Sequence, residues 1–559
     1  MRKKLFALLL VFVLVFSLAA CNKDAASNNS GEQNSSNTSS NNTSNTSSND
    51  TSNNDTSNNN SNSSSSNAPG GASQPDNSAP AASGNPVEIS AAFKWMPNGL
   101  DPISEDSGYN RAICYHIYDR LVFFDYLDNS MSPCVARSWK KIDGVTWEFE
   151  INLDDYVFQN GDKLSMDDVV FSILRIKDIP KTADTGSKID SVTYNGNILT
   201  LKFTEENNTL LSMVLSVAII VNKAYVEAGG DNAVYTQPIG TGPYKVSEFI
   251  PGSTVVIETW GGYLLPKPQI DKISFILSPE DAARYIAVET GQVQYSAWFT
   301  PFEMDLAEKN DNLSTYYGES RRFGSICFNC ERAPFDNVNV RRALAFAVDR
   351  DASSMLQGGA RPPMRGVVFN GYSLYREPAS LPEYDLAKAK SLLEAEGYNE
   401  SNPLHFEILT YAPADPYIEL YQSVLRSIGV IMDINPIEIS TMMALEGAGD
   451  FDVEWITPSN RGNNMLVDLE RVDYNFAGSR NTCFYYNERV QEIIARMRVT
   501  DDQQELNTLN TELNEILGEE VPMIAVTGTE NLAAMDKRLS GVTISPEVIY
   551  DFRNAVFSD

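Results

Sequence analysis

Residues 29 to 67 are Asn, Ser and Thr apart from Gly31, Glu32, Gln33, Asp50 and Asp55. A stretch without apolar side chains buries nothing that could offset the entropy of ordering it, so it is predicted to stay disordered. With the Ala-, Pro- and Gly-containing residues up to Pro86 it makes a linker of roughly 65 residues, whose root-mean-square reach is on the order of 45 Å. Whatever folds must lie beyond it. From Val87 about 470 residues remain, too many for one ordinary core, so two or three domains are expected.

The residues ahead of the tract read as a processing signal. Arg2, Lys3 and Lys4 form a positive region, and Leu5 to Leu18 is an apolar run too short for a comfortable span. It closes in Leu18-Ala19-Ala20-Cys21, which resembles a bacterial lipobox. On that likeness residues 1–20 are removed, Cys21 carries the lipid, and 21–86 is a disordered tether. The expected location is the extracytoplasmic face of a cell membrane, in a Gram-positive bacterium, with the lipid as the sole membrane contact. No later segment is apolar for long enough to cross a bilayer.

Composition excludes several chemistries. The formal charge of −31 argues against nucleic acid and against an anionic membrane surface as partners. The two histidines, His116 and His405, give a His-rich metal site or a His-based triad almost no material. Five cysteines follow Cys21, an odd number that implies no regular disulfide framework. Cys327 and Cys330 match C-x-x-C but fall on a predicted strand, where positions three apart face opposite ways. A Cys114–Cys134 disulfide is permitted by the compartment.

Pro238-Ile-Gly-Thr-Gly-Pro-Tyr244 begins the stretch around which the body is organised. Gly240 and Gly242 can take positive φ and Pro243 fixes the next one, so a tight turn is expected before a strand from Tyr244. Pro251-Gly252 turns that strand, and Val255 to Ile257 runs back. The loop opens onto a strand and not a helix N-terminus, so it lacks the geometry of a phosphate cradle.

Before it, Ile89 to Trp95 reads as a strand and Tyr109 to Phe124 as a helix with Ile113, Ile117, Leu121 and Phe124 on one face. Trp147, Phe149 and Ile151 alternate as in a half-buried strand, and Ser165 with Asp168 forms a capping box. After it, Pro279 to Val293 is predicted as a helix closed by Gly291, leading into Gln294 to Trp298. Asn337 caps a helix with Val340, Ala343, Leu344, Ala347 and Val348 inward. A strand over 404–411, a helix from Pro416 stopped by Gly429, and a strand from Val430 make a βαβ unit. Two late helices, 488–497 and 503–517, precede Pro522-Met-Ile-Ala.

Three phrases, in order, resemble the family 5 extracytoplasmic solute-binding proteins, the oligopeptide, dipeptide and nickel receptors of ABC importers. They are Pro238 to Glu258, residues 131–176 with Asn160-Gly161 and Asp168-Val169, and Phe328 to Arg350 with Pro334-Phe335 and Asp349-Arg350. The likeness spans nearly all of 87–559. It implies an α/β fold of the two-lobed periplasmic-binding-protein type (type II, cluster C-like), with a ligand cleft between lobes. Lobe I would take 87–320 and 525–559, with a subdomain near 131–235, and lobe II 321–524.

The function so implied is capture of a small solute, a peptide or peptide-like ligand, and its delivery to ABC permease subunits by a monomer. No reaction is catalysed, and no metal or cofactor is needed. Candidate ligand-binding residues are Trp95, Asn98, Tyr109, Trp298, Trp455, Asn460 and Arg461. The family's peptide receptors often carry an aspartate three residues after a tryptophan, where it holds the peptide's amino group. Here Trp455 is followed by Ile456, Thr457 and Pro458. The expected ligand is therefore not a peptide, or is a peptide held mainly by other groups. Two alternatives stand beside it, a receptor that senses without transport and a lipoprotein hydrolase with an acidic pair.

Anchoring is expected to depend on Cys21. Replacing it with Ala should abolish fatty-acid labelling of the expressed protein and leave its leader uncleaved; normal labelling would remove the lipid anchor from this account.

Overall fold

The computed structural model describes residues 86 to 558 except 105–106, 125–129, 357–360, 367, 369–373, 412–413, 458–464, 474–480 and 547–548. Cys21, nearly all of the expected tether, and the candidates Asn460 and Arg461 lie outside the described residues.

The described chain opens with β1 (Glu88–Phe93) and α1 (Gly108–Ile117). Next, β2 (Ala136–Lys141), β3 (Thr146–Ile151), β4 (Ile189–Asn195) and β5 (Ile198–Phe203) pair antiparallel in the order β2-β3-β5-β4. Between β3 and β4 runs α2 (Met166–Asp178), opened by the expected Ser165/Asp168 capping box. α3 (Asn208–Leu215) follows, and then β6 (Tyr244–Ile250), β7 (Thr254–Thr259) and β8 (Lys272–Leu277). α4 (Asp281–Glu289), β9 (Tyr295–Ala297) and α5 (Pro301–Glu308) complete this half.

A single long strand, β10 (Leu313–Phe328), leads into the other half. There α6 (Val338–Phe346) and α7 (Leu386–Ala395) precede the predicted βαβ unit of β11 (His405–Tyr411), α8 (Pro416–Ser427) and β12 (Ile431–Ile437). β11 and β12 run parallel in unbroken register from His405↔Ile431 to Tyr411↔Ile437. β13 (Val453–Ile456), α9 (Glu488–Met497) and α10 (Gln503–Glu520) come next, and β14 (Met523–Asp536) carries the chain back.

One ten-stranded sheet unites both halves in the order β12-β11-β13-β10-β14-β9-β1-β8-β7-β6. Its centre is the antiparallel pair β10–β14, running from Leu313↔Asp536 to Cys327↔Met523. The core divides at that pair. The buried members of the largest apolar cluster come from 89–297 and from 533–555, and two further clusters take residues 323–526. Away from the sheet the halves also meet at α3. The Asn208 N–H donates to the Arg498 carbonyl at 2.7 Å, its side chain donates to Asp501 at 2.9 Å, and Lys141 reaches Asp501 at 3.6 Å.

Several details differ from the sequence reading. α1 ends at Ile117, not Phe124, because its last carbonyls are taken by other segments: Gly242 N–H and the Gln159 amide both donate to the Ile117 oxygen, at 2.9 and 3.1 Å. Residues 122–124 are a strand instead. Gly240 and Gly242 are glycines through contact and not through positive φ, which neither adopts. A Cβ on Gly240 would lie 2.0 Å from the Ile117 oxygen, and one on Gly242 would lie 2.7 Å from that of His116. The permitted Cys114–Cys134 disulfide is not formed; Cys114 donates to Asn110 at 2.9 Å, and Cys134 is a free thiol 3.9 Å from Asp119. Arg341 and Arg350 bond backbone carbonyls, the former those of Phe335, Glu520 and Val521 and the latter those of Pro382 and Ala525.

α1 is tied to residues far along the chain. The Phe552 N–H donates to His116 Nε2 at 2.9 Å, so Nδ1 carries the proton and donates to the Ala112 carbonyl at 2.8 Å. Burial lowers the imidazole's pKa to about 4, against the pull of Asp551 at 3.7 Å. A group whose pKa is lowered on folding stabilises the native state above its unfolded value and loses that contribution as pH falls. The body's Tm should therefore fall as pH drops from 6.5 toward 4, by a loss on the order of 3 kcal/mol from this residue. Thermal scans of the native protein and His116→Gln should show a shallower slope over that window in the variant.

Candidate ligand cleft

Where β10 and β14 pass between the two halves their register slips, between Ser320 and Phe323 and again between Gly324 and Ser325. A bulge adds twist and re-aims side chains. A cleft of about 280 Å³ lies at this point, with Ser320 and Arg322 of β10 and Thr529 to Leu532 of β14 in its lining.

The first half supplies one wall. β1 gives way to Lys94 and Trp95, and β9 to Trp298-Phe299-Thr300-Pro301 at the start of α5. Trp95 stacks on Tyr109 of α1 with ring centroids 6.0 Å apart, and meets Trp298 edge-on at 5.1 Å. Trp95 is 43% exposed, which is unusual for a side chain worth several kcal/mol when buried. Trp298 has φ +66°, in the left-handed region that bulky side chains rarely adopt. Arg322 stands 6.0 Å over its ring.

The second half supplies Arg361, Asp415 and Thr457. Asp415 caps α8, accepting from the Tyr417 N–H at 2.9 Å, and faces Arg361 at 3.5 Å. Across the cleft Lys94 faces Asp281 at 3.2 Å. These four side chains keep between 19 and 33% of their surface exposed. Ion pairs so open to water are worth about 1 kcal/mol or less, so a ligand's charged groups can compete for either partner.

The structure thus brings Trp95 and Trp298 together on the cleft, with Tyr109 behind Trp95. Asn98 is exposed beside the hairpin turn at Gly252, with its side-chain oxygen 3.1 Å from where a Cβ on that glycine would stand, and it is not part of the lining. Trp455 is 2% exposed and packs in the second half's core, its ring 5.8 Å from that of Tyr417 and against Gly324, where a Cβ would lie 2.4 Å from it. Thr457, two residues on, is what reaches the cleft. Its neighbour Glu454 is fully buried 3.7 Å from Arg471, and burial, reinforced by Cys327 and Glu446, pushes its carboxyl well above the usual range. Sequence reasoning missed the charged lining, Lys94, Asp281, Arg322, Arg361, Asp415 and Glu530. Only Asp415 carried a local signal, as the residue before Pro416 at a helix start.

Comparison with known proteins fits this architecture. The dipeptide-binding protein of Escherichia coli K12 is 23% identical over 514 residues, covering 85% of this chain and 95% of that one. The solved structure of a dipeptide binding protein from Pseudoalteromonas sp. SM9913 in complex with Met-Leu superposes with a TM-score of 0.75 at 19% identity, over 84% of this chain and all of that one. AgaA from A. tumefaciens R10, in complex with agropinic acid, gives 0.73 at 20%, over 84% and 99%. These likenesses establish the two-lobed α/β binding-protein fold. The model of bacterial extracellular solute-binding proteins, family 5 (Middle), matches residues 130–470, and the chain belongs to that family.

Proposed function

We propose that this protein is the lipid-tethered receptor of an ABC importer, capturing a small solute outside the membrane and handing it to permease subunits without chemical change. The observation that carries this reading is a cleft whose walls come from both halves of the chain and whose floor is the pair of crossover strands. Lobe I is then 87–320 with 525–559, lobe II is 321–524, and the register slips in β10 and β14 mark the hinge.

The ligand class follows from the lining. A space of about 280 Å³ stands at the small end of ligand pockets and suits a compact solute, not a long peptide. Aromatic faces at Trp95 and Trp298 take its apolar surface. Position 458, where the family's amine-binding aspartate would stand, is proline, yet Asp415 offers a carboxylate in the same cleft beside a guanidinium. A small zwitterion fits that pair, with its amine on Asp415 and its carboxylate on Arg361. Dipeptides meet this description, as do amino-acid conjugates of the same size.

Calorimetry against dipeptides and their N-acetylated forms tests it. Free dipeptides should bind with about micromolar Kd. Acetylation, or Asp415→Asn, should weaken them about tenfold or more. Equal binding of both forms by the native protein would rule out the amine anchor.

Closure is tested separately. Small-angle scattering should show a smaller radius of gyration for the saturated body than for the free one. The Asn208 contact joins the proposed lobes far from the ligand, and Asn208 is the first residue of α3, a position that tolerates proline. Asn208→Pro removes the N–H donated to Arg498 and should speed dissociation about three- to tenfold in stopped-flow displacement. An unchanged rate would exclude this contact from the closed state's stability.

A further inference from the structure

The tightest polar knot beside the cleft is at Arg284, a residue of α4 with no exposed surface. Its guanidinium donates from Nε to the Ala297 carbonyl at 3.2 Å and from Nη1 to the carbonyls of Ser278 and Pro279 at 2.9 and 2.8 Å. Nη2 donates to the Trp298 carbonyl at 2.7 Å and to the Asp281 carboxylate. One planar fork therefore joins the end of β8, the start of α4 and the end of β9.

Two features of these partners point beyond general stability. Trp298 is the residue with φ +66°, a strained conformation for a bulky side chain that persists only where its surroundings over-determine it. Its flanks are fixed from two sides, by the Arg284 bonds to the carbonyls of 297 and 298, and by Trp298 and Phe299 N–H groups donating to Leu532 at 2.9 and 3.4 Å. Asp281, the acid on Arg284, also holds Lys94, the neighbour of Trp95. The same cation thus governs the backbone under one tryptophan of the aromatic wall and the pair next to the other.

We infer that Arg284 is a positioning residue for ligand recognition, holding Trp298 in its left-handed backbone so that the indole stands edge-on to Trp95 in the cleft. Arg284 is buried and absent from the lining, so it acts through Trp298 and not by touching the solute. Lysine retains the charge but has no fork, and cannot hold four carbonyls and a carboxylate from three segments at once.

This inference rests on reading the cleft as the binding site, and its test uses no ligand. The chain has six tryptophans, which can be replaced by 5-fluorotryptophan and followed by fluorine NMR, with Trp298→Phe assigning the resonance. In the native protein Trp95→Phe should shift the Trp298 resonance through the lost ring current. In Arg284→Lys that resonance should move toward the solvent-exposed position and cease to respond to Trp95→Phe. An unmoved, still responsive resonance would overturn the inference. A stability cycle covers the case in which Arg284→Lys folds poorly. Glycine adopts φ +66° without strain, so losing the fork releases backbone strain only where Trp298 is present, and Arg284→Lys should cost at least about 2 °C more in Tm in a Trp298→Gly background than in the native one. An equal loss in both backgrounds, complete unfolding in both included, would reduce Arg284 to a general core residue. Failure of the dipeptide panel would remove the proposed ligand and leave these two results standing.

Discussion

The β10–β14 ladder is the constraint on which the rest of the molecule depends. It is the one place where the sheet's two ends are joined, since every strand on the β12 side reaches the β6 side through it. A regular ladder across that junction would alternate side chains between two covered faces and leave no room for a solute. The slips at Ser320–Phe323 and Gly324–Ser325 break the alternation, and there Ser320, Arg322 and Thr529 turn into a cleft instead of a core. The Thr529 hydroxyl donates to the Arg322 carbonyl at 3.0 Å, which satisfies one of the backbone groups the slip releases. The cleft and the proposed hinge thus share one irregularity.

The charges of the cleft make sense only beside its aromatic wall. Part-exposed ion pairs would add little affinity of their own, but would fix the orientation of the proposed zwitterion and disfavour a ligand with the wrong sign at either end. The indole surfaces would supply the bulk of the free energy and are indifferent to sequence detail in a solute. A chain with formal charge −31 needs such local cations, because an anionic group approaching it meets a repulsive field until it is within about a Debye length, roughly 8 Å, of Lys94, Arg322 or Arg361.

Much of the fold was legible in the sequence wherever a local rule coincided with the tertiary demand. The βαβ unit has both a strong period and an explicit stop, Gly429 adopting φ +84° as helix-ending residues do. The predicted helix over 109–124 is too long because its apolar period continues while the Ile117 carbonyl is claimed by Gln159 and Gly242, which belong to other segments. The sequence points to positive φ at Gly240 and Gly242, whereas the structure requires glycine there for close approach, since a clash with another segment leaves no trace in local propensity. The site divides the same way. Exposed aromatics flanking strand ends were readable; which charges converge on them depended on the register slip, which no window of residues encodes. Trp455, expected on the cleft from the family resemblance, is instead covered by Tyr417.

His116 and Phe552 are separated by 436 positions, yet the amide of one donates to the ring of the other. The same late stretch, residues 533–555, delivers Leu539, Ile544, Tyr550 and Phe552 among others to a cluster whose remaining buried members lie in 89–297. The first half is thus written in two instalments, with the whole second half between them. A secreted chain crosses the membrane from its N-terminal side, so the second half, contiguous in sequence, has all its own core residues outside before the first half has. The order of folding is inverted relative to the order of synthesis: the part that emerges first must wait, partly open, for residues that emerge last.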